Sequence, residues 1–365
     1  MAVIFCAAKN NMEKIFIDPQ KIDFALIGKA VDAILNGMIV VLPTETVYGL
    51  AAYAENKDAV QRLARIKNRP PDKPFAIVSD SWEKARDYYF TVMPPFAYRL
   101  MEKFWPGPLT MIYYSDKDEK LGIRIPAHIV TNKILKGVNA PVYLPSANLS
   151  GKPEAASAQE VESGLGNLVD LIVDSGPSLY RQASTVVDLT CNPFKILREG
   201  TISEREIVDV FIKKRVIFIC TGNTCRSPMA QFILEKQIDE SKPYLRDRYE
   251  IISAGVYAYE GSAASSSIVS LLKEKESMDI RGFRATKLNR QLILSSDLIF
   301  TMEDAHTDYV LKLEPTAEGR VFPLRKFLSD GRVIGVPDPI GKSQEHYEEA
   351  FDIIKEAIVE LKEWL

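Results

Sequence analysis

Cys220 and Arg226 bracket a short polar run, Cys220-Thr-Gly-Asn-Thr-Cys-Arg226-Ser227-Pro228, that carries the sharpest chemical signal in the chain. The apolar stretch Val216 to Cys220 reads as a buried strand. Ser227 and Pro228 read as the opening of a helix, with Ser as N-cap and Pro at the first helical position. A loop between a strand and a helix turns successive N–H groups inward as an anion nest, and the helix N-terminus adds partial positive charge. Both favour a thiolate on Cys220, as does Arg226. The Arg226 fork can also hold two oxygens of a phosphoryl group at once. Gly222 and Asn223 are residue types that tolerate positive φ, Cys225 reads either as a small residue packing the loop or as a reversible disulfide partner that protects Cys220, and the Ser227 hydroxyl can donate to the thiolate or cap the helix. The chemistry this suits is phosphoryl transfer to sulfur, which needs a proton donor for the leaving group. Asp338, between two prolines in Val336-Pro-Asp-Pro-Ile-Gly341, is the candidate. An inert buried thiol would account for a strand cysteine alone, but not for the arginine and Ser-Pro at fixed spacing after it. A zinc site lacks a second cysteine pair, so no metal is expected from a protein motif.

The first half holds looser motifs in a definite order. They are Pro43-Thr-Glu-Thr-Val-Tyr-Gly49, Ile66-Lys-Asn-Arg-Pro70 with Lys73-Pro74, Phe104-Trp-Pro-Gly-Pro-Leu-Thr110 and Gly122-Ile-Arg-Ile-Pro126. Pro145-Ser-Ala-Asn-Leu-Ser-Gly151, Ser184-Thr-Val-Val-Asp188 and Ile196-Leu-Arg-Glu-Gly200 follow. Lys67, Arg69, Arg124 and Arg198 stand beside Pro or Gly turns rather than on helix faces, which suits a polyphosphate site. Thr44, Ser146, Asn148 and Ser184 supply neutral hydrogen bonds to a polar ligand. Taken singly, each charge reads as a solvated side chain and each Pro-Gly run as a turn. Their joint order carries the functional reading.

The elements that must position these residues are strands over Ile39–Leu42, Phe75–Val78, Leu109–Tyr113, Val142–Leu144, Leu171–Val173 and Thr185–Leu189, with helices between several of them. Asp58 to Ile66 has helical spacing. After Gly200 a charged stretch reads as a connecting helix. The expected organisation is an extension over 1–13, a mixed α/β domain over 14–201, a linker helix over 202–213 and a second domain over 214–365. In that last part, strands at Val216–Cys220, Ile251–Val256 and Leu298–Met302 alternate with helices. The final helix repeats apolar residues at Tyr347, Phe351, Ile354, Ile358, Leu361 and Leu365. Such alternation implies a parallel sheet covered on both faces.

From about Arg215 onward the sequence resembles the low-molecular-weight protein-tyrosine-phosphatase family, through the Cys220–Pro228 run, Ser253-Ala-Gly-Val, Phe300-Thr-Met and Asp338-Pro. The resemblance implies a flavodoxin-like fold and a phosphocysteine intermediate on Cys220. Arg226 would bind phosphate, and Asp338 would act first as acid and then as base on a phosphorylated protein. Ile340 stands where tyrosine-specific members usually have an aromatic residue, and Thr224 is found in the bacterial protein-arginine-phosphatase branch. Phosphoarginine therefore stands beside phosphotyrosine as substrate.

Over about Lys14 to Thr201 the motifs resemble the YrdC-like family, the threonylcarbamoyl-AMP synthases. The resemblance implies an open twisted α/β sheet with a basic cavity. The implied reaction takes L-threonine, bicarbonate and ATP, with Mg2+ on the phosphates, to threonylcarbamoyl-AMP and pyrophosphate. That product feeds the tRNA-modification machinery. By matching position, Thr44, Arg124, Ser146 and Ser184 would lie near threonine, and Lys67, Arg69, Asn148 and Arg198 near the nucleotide. Gly49-Leu-Ala-Ala52 departs from the family's usual Gly-Leu-Gly-Ala. A rival reading makes the first domain a non-catalytic RNA-binding module and the second a phosphoprotein-binding module.

Composition narrows the setting. Lys plus Arg is 46 against 49 Asp plus Glu, a net charge of −3, so the excess basic charge of a non-specific nucleic-acid binder is missing. No apolar run approaches the roughly 18 residues of a membrane span. Four cysteines in 365 residues do not make a disulfide framework, which points to a reducing, cytoplasmic setting.

Overall fold

The computed structural model describes residues 12–70, 75–87, 92–115, 117–328 and 335–365. Lys73-Pro74 and most of the expected N-terminal extension lie outside them. The chain divides into two units. Leu100–Ile207 and the chain before Pro94 make the first, and Val208–Leu365 with Pro94–Arg99 the second.

The first unit runs β1 (Glu13–Phe16), α1 (Phe24–Leu35), β2 (Val40–Leu42), β3 (Gly49–Tyr53), α2 (Lys57–Ile66), β4 (Ile77–Val78), α3 (Trp82–Asp87) and α4 (Pro95–Phe104, whose first residues group with the second unit). It continues through β5 (Leu109–Tyr114), β6 (Lys120–Arg124), α5 (Ile129–Val138), β7 (Val142–Tyr143), α6 (Ala158–Leu165), β8 (Leu171–Asp174), β9 (Thr185–Asp188), β10 (Lys195–Arg198) and α7 (Glu204–Ile212, whose residues from Val208 on group with the second unit). The strands form one mixed sheet in the order β1-β8-β2-β3-β7-β4-β6-β5-β9-β10. Alternation along each strand sends side chains to two layers. Val40, Leu42, Ala51, Val142, Leu171 and Val173 pack with Ala30 and Ile34 of α1 and Val130 and Ile134 of α5. Ile39, Val41, Leu50, Ala52 and Ile172 pack with Leu63 of α2 and Val161 and Leu165 of α6. Each Val, Leu or Ile among them contributes about 1.5–3 kcal/mol by leaving water. Ala51 sits in β3 opposite Val40 with ordinary strand backbone, so the departure from the family's glycine costs nothing there.

The second unit runs β11 (Lys214–Cys220), α8 (Arg226–Ser241), β12 (Tyr249–Gly255), α9 (Ser266–Glu276), α10 (Arg290–Ser295), β13 (Leu298–Thr301), α11 (Asp304–Leu313), β14 (Val321–Pro323) and α12 (Gln344–Trp364). Its sheet, β12-β11-β13-β14, is parallel throughout. β11 is flanked on both sides, so its residues from Val216 to Cys220 are apolar without a break. Val216, Phe218 and Cys220 face Met229 and Ile233 of α8 and Ile354 and Ile358 of α12. Ile217 and Ile219 face Ile293 of α10 and Val310 of α11. Ligands in such sheets sit at the carboxyl ends of the strands, where β11 delivers Cys220.

Candidate active sites

In the first unit a cavity of about 490 Å3 opens where strands end. The loop into β3 brings Thr44, the end of α2 brings Lys67 and Arg69, and β6 ends at Arg124. The loop after β7 brings Ser146, the residue before β9 is Ser184, and β10 ends at Arg198. All seven line the cavity. Asn148 does not, but its side-chain oxygen accepts from Lys67 Nζ at 2.6 Å and from Ser146 Oγ at 2.7 Å, so it aims both. Lys67 Nζ also donates to the Ser146 and Asn148 carbonyls at 2.9 and 2.8 Å. Burial lowers the Lys67 ammonium to about 8, with Arg69 and Arg198 adding repulsion against the pull of Glu154. The Arg69 guanidinium lies 4.9 Å from the centre of the Phe75 ring.

Arg198 donates from Nε to the Ser184 carbonyl at 3.0 Å and from Nη2 to the Ser184 hydroxyl at 3.2 Å. Gly200, two residues on, packs so closely that an added Cβ would fall 2.2 Å from the Ala183 carbonyl oxygen. Only glycine lets the chain return over Ser184 here. The Thr44 hydroxyl closes its own loop by donating to the Val47 carbonyl at 2.5 Å.

Several residues at this site carry no role in the sequence reading. Buried Glu45 accepts from Arg124 Nη2 at 2.7 Å and from the Ala127 N–H at 2.9 Å, which fixes Arg124. Thr110 hydrogen-bonds Ser184 at 2.9 Å, and Lys120 pairs with Asp188 at 3.0 Å on the cavity wall. Glu45, Thr110 and Asp188 lie inside the motifs quoted above, which is the signal available for them. Lys120 has none.

In the second unit the loop after β11 wraps the Cys220 sulfur. Sγ lies 2.9 Å from Ser227 Oγ and accepts from the Asn223 N–H at 3.2 Å. Asn223 takes the left-handed conformation at φ 53 and ties the loop down. Its Nδ2 donates to Ser227 and Ser253 hydroxyls, both at 2.9 Å, and its Oδ1 accepts from the Thr286 N–H at 2.7 Å. Two sequence expectations are corrected here. Gly222 does not adopt positive φ, and a Cβ there would meet only Thr224 Oγ1 at an ordinary 3.5 Å. The helix opens at Arg226 with Cys225 as N-cap, so Ser227 and Pro228 lie inside it and the Ser227 hydroxyl serves the sulfur instead of capping. The sterically obligatory glycine is Gly255, where a Cβ would fall 2.7 Å from both the Asn223 nitrogen and the Thr221 carbonyl oxygen. Cys225 is buried with its sulfur 3.3 Å from Ser265 Oγ, and burial pushes its thiol up.

Arg226 is only 1% exposed, and its fork is fully engaged. Nη1 pairs with Glu303 and donates to the Val336 carbonyl at 3.0 Å. Nη2 pairs with Asp338 and donates to Thr221 Oγ1 at 3.1 Å. Asp338 is thus brought from the far end of the chain to the loop, with its Oδ1 accepting from the Ile340 N–H at 3.1 Å. Beside it lies a groove lined by Glu303, Asp304, Arg325 and Val336 to Asp338. Glu303 directly follows the quoted Phe300-Thr-Met, but only its long-range pairing with Arg226 gives it meaning.

An electropositive cavity at strand ends and a sulfur cradled between strand and helix define two catalytic units of different chemistry. The Sua5_yciO_yrdC family model ("Telomere recombination") matches residues 32–200, and the low molecular weight phosphotyrosine protein phosphatase model matches residues 215–365. A Mycobacterium leprae relative from the threonylcarbamoyl-AMP synthases is 37% identical over 193 residues, spanning 50% of this chain and 87% of its own. The structure of a doubly alanine-substituted Sua5 from Pyrococcus abyssi has a TM-score of 0.51 at 26% identity, covering 85% of this chain and 99% of that one. YwlE arginine phosphatase from Geobacillus stearothermophilus is 35% identical, with TM-score 0.37, and covers 41% of this chain and 92% of its own. A low molecular weight protein tyrosine phosphatase from T. tengcongensis is also 35% identical, with TM-score 0.38, at 42% and 100% coverage. The chain belongs to the threonylcarbamoyl-AMP synthase family through its first unit and carries a low molecular weight phosphatase as its second. It joins a nucleotidyltransferase to a cysteine-dependent phosphatase.

Proposed function

We propose that the first unit converts L-threonine, bicarbonate and ATP to threonylcarbamoyl-AMP and pyrophosphate for the tRNA-modification machinery. The threonine amine captures CO2 from bicarbonate. The resulting carbamate oxygen attacks the α-phosphorus of ATP, and the bond to the pyrophosphate oxygen breaks. ATP enters as its Mg2+ complex, with the metal carried on the phosphates. Lys67, Arg69, Asn148 and Arg198 are assigned to the nucleotide, and Thr44, Arg124, Ser146 and Ser184 to threonine. The observation that carries this reading is the convergence of Lys67, Arg69, Arg124 and Arg198 on one cavity that Thr44, Thr110, Ser146 and Ser184 also line. Catalysis there is positioning and charge neutralisation. Pyrophosphate release by the full chain should require threonine, ATP and bicarbonate together. No release, with tight RNA binding instead, would establish the RNA-module reading.

For the second unit the reading is a protein phosphatase acting on phosphoarginine. The Cys220 thiolate attacks phosphorus, Asp338 protonates the departing guanidine nitrogen, and its carboxylate then takes a proton from the water that releases inorganic phosphate. The groove beside Asp338 favours this substrate over phosphotyrosine. Glu303 and Asp304 outnumber Arg325 there, which suits a leaving group that departs as a cation. The Thr224 hydroxyl on the loop is a further polar partner. A side-by-side assay on phosphoarginine and phosphotyrosine peptides decides it. Faster turnover of phosphotyrosine reverses the substrate, and no turnover of either makes the unit a phosphoprotein-binding module.

A further inference from the structure

His306, on the first turn of α11, is 3% exposed, and its one side-chain hydrogen bond among the described residues goes to neither the sulfur nor the acid. Its Nε2 lies 3.0 Å from Thr221 Oγ1, the hydroxyl that also accepts from Arg226 Nη2 at 3.1 Å. Its Nδ1 is buried and has no hydrogen-bond partner among the described residues. We propose that His306 is a positioning residue of the phosphatase unit: by accepting the Thr221 proton it holds that hydroxyl as an acceptor for Arg226 and so fixes the plane of the phosphate-binding fork.

Hydrogen count fixes the direction of each bond. A threonine hydroxyl has one proton and two lone pairs. Arg226 can only donate, so Thr221 must accept from it, and the Thr221 proton needs another acceptor. His306 Nε2 is that acceptor, which assigns the ring proton to Nδ1. Nδ1–H is thereby left without a partner in a buried place, a cost the fold bears to keep Nε2 free. Burial, reinforced by the Arg226 charge and opposed by Glu303 and Asp338, lowers the imidazole, which keeps the ring neutral as the relay requires. Of the four partners of the Arg226 fork, Glu303 and Asp338 are anions that a phosphoryl group competes with. The Val336 carbonyl and Thr221 are the neutral ones that keep the fork in place when it turns to substrate.

The inference rests on phosphatase chemistry at Cys220 but not on which phosphoamino acid is the substrate, so the probes are p-nitrophenyl phosphate and inorganic phosphate with the full chain. His306→Leu should raise both KM for p-nitrophenyl phosphate and Ki for inorganic phosphate about tenfold, the worth of one lost hydrogen bond to a charged fork. His306→Gln, whose amide oxygen can reach the Nε2 position, should restore both to within about twofold by the same reckoning. Thr221→Val should reproduce the loss, and adding His306→Leu to it should worsen nothing, because the two act as one unit. Additive losses, an unaffected Ki, or a Gln variant as poor as Leu would overturn the proposal. Should the Leu variant not fold, the Gln and Thr221→Val pair still decide. A wild-type chain inert toward p-nitrophenyl phosphate would instead strike at the phosphatase reading itself.

Discussion

Asp338 is held by its own backbone turn and by Arg226, with a proline on each side, so its aim does not depend on the rest of the loop. Asp338→Ala should slow hydrolysis of an aryl phosphate by ~10²–10⁴ while inorganic phosphate still binds, since general acid catalysis acts only on the departing group. An unchanged rate would place the acid elsewhere. In the first unit the residue to titrate is Lys67. Its ammonium lies at about 8 in the free protein because burial disfavours the charge, so the cavity loses a positive charge as pH rises through that value. ATP should bind best below pH 8 and progressively more weakly above it, and Lys67→Met should be weak and flat across the same range. Calorimetric titration from pH 7 to about 9.5 reads both curves, since the unperturbed lysine value lies near 10.4. The same shift bears on stability. The unfolded chain binds the proton more tightly, so Lys67 burdens the fold below 8 and that burden is relieved as pH climbs toward the ordinary lysine value.

The strand–loop–helix unit around Cys220 is positioned by its neighbour β12 as much as by its own residues. Gly255 ends that strand against the loop backbone, and Gly255→Ala must displace main-chain atoms rather than a flexible side-chain tip. It should lower kcat/KM for p-nitrophenyl phosphate by about a hundredfold, since angstrom-scale misplacement costs that much. Gly282→Ala, where nothing lies within 4 Å, should change nothing. Equal rates would show that the loop is set by its own hydrogen bonds alone. This is also where the sequence stops being legible. β11 and α12 are readable because unbroken or periodic apolar residues leave few alternatives. β6 and β10 are not, since Lys120–Arg124 is capped by charges and split by Gly122, Lys195–Arg198 does not alternate, and each owes its state to pairing with the antiparallel strand just before it. The Cys220–Arg226–Asp338 set is readable because the loop is contiguous and the acid stands in a distinctive Pro-Asp-Pro. Glu303, His306 and Glu45 are not. Each acts by touching a residue that only the folded chain brings near.

At the scale of the molecule each unit has its own sheet, its own two hydrophobic layers and its own site. Chemistry removed from one should spare the other. Cys220→Ser should abolish phosphatase turnover and leave threonine-dependent pyrophosphate release unchanged, and Lys67→Met should do the reverse. Parallel assays on the same preparations read this directly, and a loss of both activities from either change would mean that the units function as one. Among the described residues no helix is long and apolar enough to cross a membrane.

The acidic lip around Arg226 has a consequence for inhibitor chemistry. A doubly charged aryl phosphonate must dislodge two carboxylates and gains nothing from them. A zwitterion, with a phosphonate for the loop and an amidine one bond away, would recruit Glu303 and Asp338 as partners instead of rivals. Selectivity over phosphatases with neutral rims would then come from the cationic end of the molecule.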